Sequence, residues 1–161
     1  MSRPGDDAMT EIPRAARADS LLSIVYVSTA AWVLDAEGVE ELLKTARRNN
    51  QRAGITGMLL YVERNFMQAI EGPPDQVRDL YERLELDPRH YGLTKLINEP
   101  IVERQFAQWS MAYQPATLDL LRKMEGFSPF LERGFDLAAM RARPDKAHKL
   151  LLTFREIMLS R

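Results

Sequence analysis

The stretch ITGMLLYVERNFMQAIEG, residues 55–72, decides the fold. Two apolar runs, 55–62 and 65–71, flank only Glu63-Arg64, and so short a link joins antiparallel strands, here without an Asn-Gly or Asp-Gly signal. In the second run Phe66, Gln68 and Ile70 alternate onto one face. An amide therefore stands where a core residue is expected. Buried and without partners, it would cost about 1–3 kcal/mol per polar group. Gln68 is thus exposed, satisfied by the protein, or satisfied by a ligand.

Upstream, LLSIVYVS (21–28) reads as a strand with Leu22, Ile24 and Tyr26 on one face and Ser28 at its end. Ser23, Val25 and Val27 face the other way. After a loop around Trp32, the spacing predicts a helix over 37–49, with Val39, Leu42, Leu43 and Ala46 in one stripe. Downstream, Gly72-Pro73-Pro74-Asp75 opens a second helix striped by Val77, Leu80, Tyr81 and Leu84, which Asp87-Pro88 stops. A strand near 93–102 follows. In FAQWSMAY (106–113), strand alternation would put Trp109, Met111 and Tyr113 on one face, against Phe106, Gln108 and Ser110.

The order is β-α-β-β-α-β-β, an α+β, ferredoxin-like arrangement with both helices on one face of a mixed sheet. The groove between the helices is a natural ligand slot. Beyond Pro115 the chain turns helical: a short helix near 117–124, a loop over 125–136, and a last helix over 145–159. That helix carries Ala147, Leu150, Leu151, Phe154 and Met158 on one face, to be buried against the uncovered face of the sheet or a partner chain. Residues 1–20 mix Pro, Gly and charges without periodicity and read as a flexible arm. The domain itself is expected over 21–115, with 116–161 a helical cap or output segment.

Composition excludes several classes. Lys and Arg number 22 against 23 Asp and Glu, and with no basic block nothing suggests a nucleic-acid surface. No apolar run reaches a membrane span, and the N-terminus lacks a signal pattern, so a cytoplasmic protein is expected. The absence of cysteine removes disulfides, thiolate metal sites, cysteine nucleophiles and flavin–cysteinyl photochemistry. His90 and His148, the only imidazoles, lack ligand spacing, so no metal centre is expected.

Polar residues interrupt the apolar patterns at Tyr26, at Asn49 and Asn50, at Gln68, and at Arg83 and Asp87. With two helices over one face, Tyr26 and Gln68 point into the groove and the others sit along its rim. Such a set suits a planar heterocycle with several hetero-atoms. Taken singly, each has an ordinary reading. A strand tyrosine is commonly core, paired asparagines cap a helix, the Asp87–Arg89–His90 cluster is turn chemistry, and Met58, Met67 and Met111 fill core.

The combination is more specific. Y-V-S at 26–28, N-N-Q-R-A-G-I-T-G at 49–57, F-M-Q-A-I-E-G at 66–72, D-P-R-H at 87–90 and R-Q-F-A-Q-W-S-M at 104–111 occur in this order. Together, from about residue 21 to 113, they closely resemble the BLUF family, bacterial domains that sense blue light with a flavin. The resemblance implies a non-covalently bound FAD, with FMN or riboflavin as alternatives, lying between the helices. By resemblance Tyr26 is the photochemical tyrosine and Gln68 the glutamine that bridges it to flavin N5 and C4=O. Asn50 would hydrogen-bond the flavin C4=O and N3 side. Arg83 and Asp87 would hold the pyrimidine edge and ribityl region, flanked by Arg89 and His90. Trp109 and Met111 match the last-strand pair that relays the signal. Asn49 stands where some members have histidine, which implies weaker stacking on the flavin, and Ala46 where some have a hydroxyl.

The mechanism so implied is light-driven transfer of an electron, then a proton, from Tyr26 to the flavin through Gln68, recombination with the amide rotated or tautomerised, and a small red shift. The change would reach the C-terminal helices through Trp109 or Met111. A C-terminal segment too short for a cyclase or phosphodiesterase implies output through an unidentified protein partner or self-association, with a homodimer or larger oligomer expected. An enzyme on the same scaffold is the rival. An acylphosphatase-like hydrolase needs a phosphate-cradling loop after the first strand, and a flavin reductase a nicotinamide fingerprint; neither motif is present. The protein is therefore expected not to be an enzyme.

Overall fold

The computed structural model describes residues 20–124, 126–127 and 136–160. The arm expected over 1–20 lies outside these residues apart from Ser20, and so does most of the loop expected over 125–136. Seven elements follow the anticipated order: β1 (Leu21–Ala30), α1 (Ala36–Ala53), β2 (Thr56–Val62), β3 (Asn65–Gly72), α2 (Pro74–Leu86), β4 (His90–Ile101) and β5 (Ala112–Pro115). Then come α3 (Leu118–Lys123), α4 (Leu137–Ala142), which the sequence reading lacked, and α5 (Pro144–Leu159).

The sheet runs β4-β1-β3-β2-β5, antiparallel except for the parallel β2–β5 pair. The hairpin closes with Val62 opposite Asn65, and both linking residues take positive φ, 49° at Glu63 and 75° at Arg64. That is the backbone sense of a two-residue hairpin turn, built here without Asn or Gly. Arg64 offsets part of the cost: its Nη2 donates to the carbonyls of Ala30 and Ala31, and its own carbonyl accepts from Ala30 N–H.

Helix α1 starts at an Asp35 cap, whose carboxylate accepts from Gly38 N–H. It runs past the expected end at Asn49 to a left-handed Gly54, whose N–H bonds the Asn50 carbonyl. The asparagines are therefore not caps; they project from the helix body. The last strand also differs from expectation. Residues 106–111 turn rather than extend, with Trp109 N–H on the Phe106 carbonyl, and pairing with β2 begins only at Met58 and Ala112. Strand alternation does not apply there, so Trp109 and Met111 do not share a face.

The sheet is covered on both sides. Helices α1 and α2 enclose Ile24, Tyr26, Val39, Leu43, Leu59, Phe66, Ile70, Val77, Tyr81 and Met111. The opposite face buries Val25, Val27, Met58, Leu60 and Met67 under Phe106, Leu121, Leu150, Leu151 and Phe154. The apolar stripe of α5 thus closes the face that α1 and α2 leave open.

Candidate functional site

Antiparallel register carries the site. Tyr26 on β1 lies directly opposite Gln68 on β3, and directly opposed residues put their side chains on the same face. The Tyr26 hydroxyl donates to Gln68 Oε1, and Gln68 Nε2 donates to Met111 Sδ at 3.3 Å. A thioether is a weak acceptor, and the second Nε2 hydrogen has no partner among the described residues. The amide is buried yet incompletely satisfied.

Burial drives the Tyr26 phenol far above its ordinary pKa, with Tyr81 and Asp87 adding to the shift. Tyr26 is therefore a neutral hydrogen-bond donor at any working pH. Its ring meets Tyr81 edge-on at 5.6 Å and His90 at 6.3 Å. Two irregularities in the β1–β4 register fall at Val25/Tyr26 and Val27/Thr29, re-aiming the strand where the tyrosine enters.

Met111 is held at this position by its backbone. Gly57 N–H bonds the Trp109 carbonyl at 3.1 Å, Asn50 Nδ2 the Ser110 carbonyl at 2.7 Å, and Arg47 Nε the Met111 carbonyl at 2.9 Å. Gly57 also makes room: a Cβ there would stand 2.1 Å from the Ala69 carbonyl oxygen and 3.1 Å from Met111 Cε. Trp109 packs instead on the far side of the sheet, against the core under the C-terminal helices. Met111 is buried in the core and also touches the Gln68 amide. Arg47 and Gly57 are missing from the sequence-derived set. Arg47 resembles one more charge on a solvated helix, and the close approach of Gly57 to Ala69 emerges only with the fold.

One cavity between α1 and α2 is lined by Tyr26, Asn49, Asn50, Gln68, Arg83, Asp87, Arg89 and His90, all eight residues expected to hold a cofactor. Leu42, Leu59, Phe66, Leu80 and Leu84 give it apolar walls. Its polar groups are not equally available. His90 spends both ring nitrogens inside the protein, Nδ1 on Ser28 Oγ at 2.8 Å and Nε2 on the Leu84 carbonyl at 2.7 Å. It therefore meets the cavity with its ring. Arg89 grips both oxygens of Asp87, lowering the pKa of that carboxyl and raising its own. Arg83 and Asn49 reach the cavity with no hydrogen-bond or ion-pair partner among the described residues. Among those residues no group of His, Cys, Asp or Glu is arranged to hold a metal.

Residues 21–112 match the family model for BLUF, sensors of blue-light using FAD. The chain belongs to the BLUF family. It is 31% identical to a BLUF protein, BlrB, solved in its dark state, covering 84% of this chain and 98% of that one at a TM-score of 0.65. It is 36% identical over 93 residues to photoactivated adenylate cyclase subunit beta of Euglena gracilis, and 32% over 91 residues to the blue light- and temperature-regulated antirepressor BluF of Escherichia coli (strain K12). These matches cover 57% and 56% of this chain but only 11% and 23% of the two relatives.

As a BLUF protein the chain is a blue-light sensor that uses a flavin. The cavity fits one by its own chemistry. Its apolar walls suit a flat aromatic ring, while unspent donors at Gln68, Arg83 and Asn49 suit ring carbonyls and nitrogens and a polar side chain.

Proposed function

We propose that the flavin is FAD and that Tyr26 and Gln68 are the photochemical pair. Asn49, Asn50, Arg83, Asp87, Arg89 and His90 complete the cofactor site, and Met111 is the first relay. The observation that carries this reading is the Tyr26–Gln68–Met111 hydrogen-bond chain on the cavity wall. Bound flavin supplies blue-light absorption and, once excited, a strong one-electron oxidant. Tyr26 is neutral in the dark, so its proton leaves only with an electron, toward the Gln68 oxygen it already touches. Proton and electron return, and the amide is free to rotate or tautomerise because the thioether on its other side holds it weakly. The altered amide presents a different hydrogen-bonding pattern to the cavity, which is the origin of the red shift. It also changes its contact with Met111, and through the clamped backbone of 109–111 it biases the packing of the helices beyond.

In this reading residues 21–115 are the sensor and 116–161 the output segment. The chain works by contact, without enzymatic activity of its own, as a cytoplasmic homodimer or larger oligomer that engages a protein partner. The antirepressor relative supports output by protein contact; the cyclase relatives support the same sensor driving an attached effector.

Protein purified in darkness tests the reading. It should be yellow, shift red in blue light and recover in the dark, and the extracted pigment should co-elute with FAD. Elution with FMN or riboflavin would overturn the choice of FAD, and a spectrum indifferent to light would overturn the function. Light-and-dark size-exclusion profiles and pull-downs test the assembly.

A further inference from the structure

We propose that Arg155 of α5, latched on Gln105, is the positioning residue that couples the photochemical site to the C-terminal helix. Arg155 Nη1 donates to the Gln105 carbonyl at 3.1 Å and to its side-chain Oε1 at 3.0 Å. Its other nitrogens, Nε and Nη2, go to Glu156 of the same helix, a neighbour too exposed to fix the side chain by itself. One amino group thus bonds two oxygens of Gln105 while the rest of the planar guanidinium is held on Glu156, and this sets position as well as attraction.

Gln105 is not an ordinary loop residue. Its N–H and that of Phe106 both donate to the buried carboxylate of Glu71, at 2.9 and 2.6 Å. Glu71 lies on β3, the strand of Gln68, with its side chain on the opposite face. Thr56 Oγ1 donates to Glu71 as well, and Arg104 bonds Thr56 and the Gly54 carbonyl. From Gln105 the chain is pinned in sequence: Phe106 to Trp109, Trp109 to Gly57, Ser110 to Asn50 and Met111 to Arg47. These bonds resist a displacement of Met111 within 106–111. It passes instead to the ends of the segment, β5 on one side and Gln105 on the other. Phe106 shares its core with Phe154, the neighbour of Arg155, so latch and packing move together.

This inference rests on the photochemical reading, and its test keeps the two apart. Hydrogen exchange of the α5 amides is measured in darkness and under blue light for the full chain and for Arg155→Gln, with the red shift recorded on the same samples. In the unaltered protein light should change α5 protection by about fivefold or more, the lower end of coupling between distinct sites. Arg155→Gln should keep the full red shift while the light-minus-dark change in α5 falls below about twofold, the criterion being loss of that coupling. Arg155→Lys keeps the charge but not the planar group that bonds Gln105 and Glu156 at once, and should fall between. The latch is overturned if Arg155→Gln loosens α5 in light and dark alike and the difference survives. It is overturned equally if α5 of the unaltered protein ignores light although the red shift forms. An absent red shift in the unaltered protein would overturn the photochemical reading, and the latch with it.

Discussion

Gln68 is the residue around which the site is arranged: its oxygen is taken by a phenol, its nitrogen by a thioether, and one hydrogen is left over. Replacing the buried Met111 with Ala removes the weak acceptor and opens a cavity, so stability should fall by about 2–5 kcal/mol by denaturant titration. Dark recovery, followed by absorbance, should change because the amide has lost its partner on that side. Tyr26 and Gln68 were legible in the sequence because a period of two shows each as a polar residue on the apolar face of its own strand, while the register that sets them opposite each other belongs to the fold. Which of Trp109 and Met111 faces Gln68 was not, because alternation presumes a strand and residues 106–111 are turned. The raised pKa of Tyr26 has its own consequence. The folded protein holds this proton more tightly than the unfolded chain, so the stability it contributes is present below about pH 10 and lost as pH climbs beyond that. Alkaline titration of stability should therefore be shallower in Tyr26→Phe.

The strands and helices were largely legible from their stripes, while their ends were not. Helix α1 continued past Asn49 because Gly54, and not an asparagine, takes the left-handed cap. The hairpin was visible from its brevity, although Glu63-Arg64 carries no turn signal; Arg64 makes up for this with bonds to β1 that depend on the folded sheet. Between β2 and β3, Gly57 is the most exacting position. Gly57→Ala would drive a methyl group against the Ala69 carbonyl and Met111, with an overpacking cost of about 1–3 kcal/mol. Thermal unfolding should show that loss. Difference spectroscopy should show an altered dark absorbance, since the Met111–Gln68 contact shifts with it.

Taken whole, the molecule is a two-faced sheet, with a flavin-type cavity under α1 and α2 and a helical cover on the other side, tied together by the 104–111 segment. The cover was anticipated from the apolar stripe of α5; the polar tie was not, because Arg155, Gln105 and Glu71 are brought together only by the fold. His148 lies on α5 beside this tie, near Glu99, Glu71 and Arg155, and burial lowers its pKa against the opposing pull of the two glutamates. Its contribution to stability is present above about pH 6.5 and is lost as pH falls through that value toward the depressed folded pKa. Unfolding free energy should drop between pH 7 and pH 5, and drop less in His148→Gln.

The proposed mechanism makes Tyr26 the source of the light-driven change, and the light-minus-dark absorbance spectrum of flavin-loaded Tyr26→Phe tests that role. The variant should remain yellow and fail to shift red under blue light. A red shift of normal amplitude in that variant would rule out Tyr26 as its source.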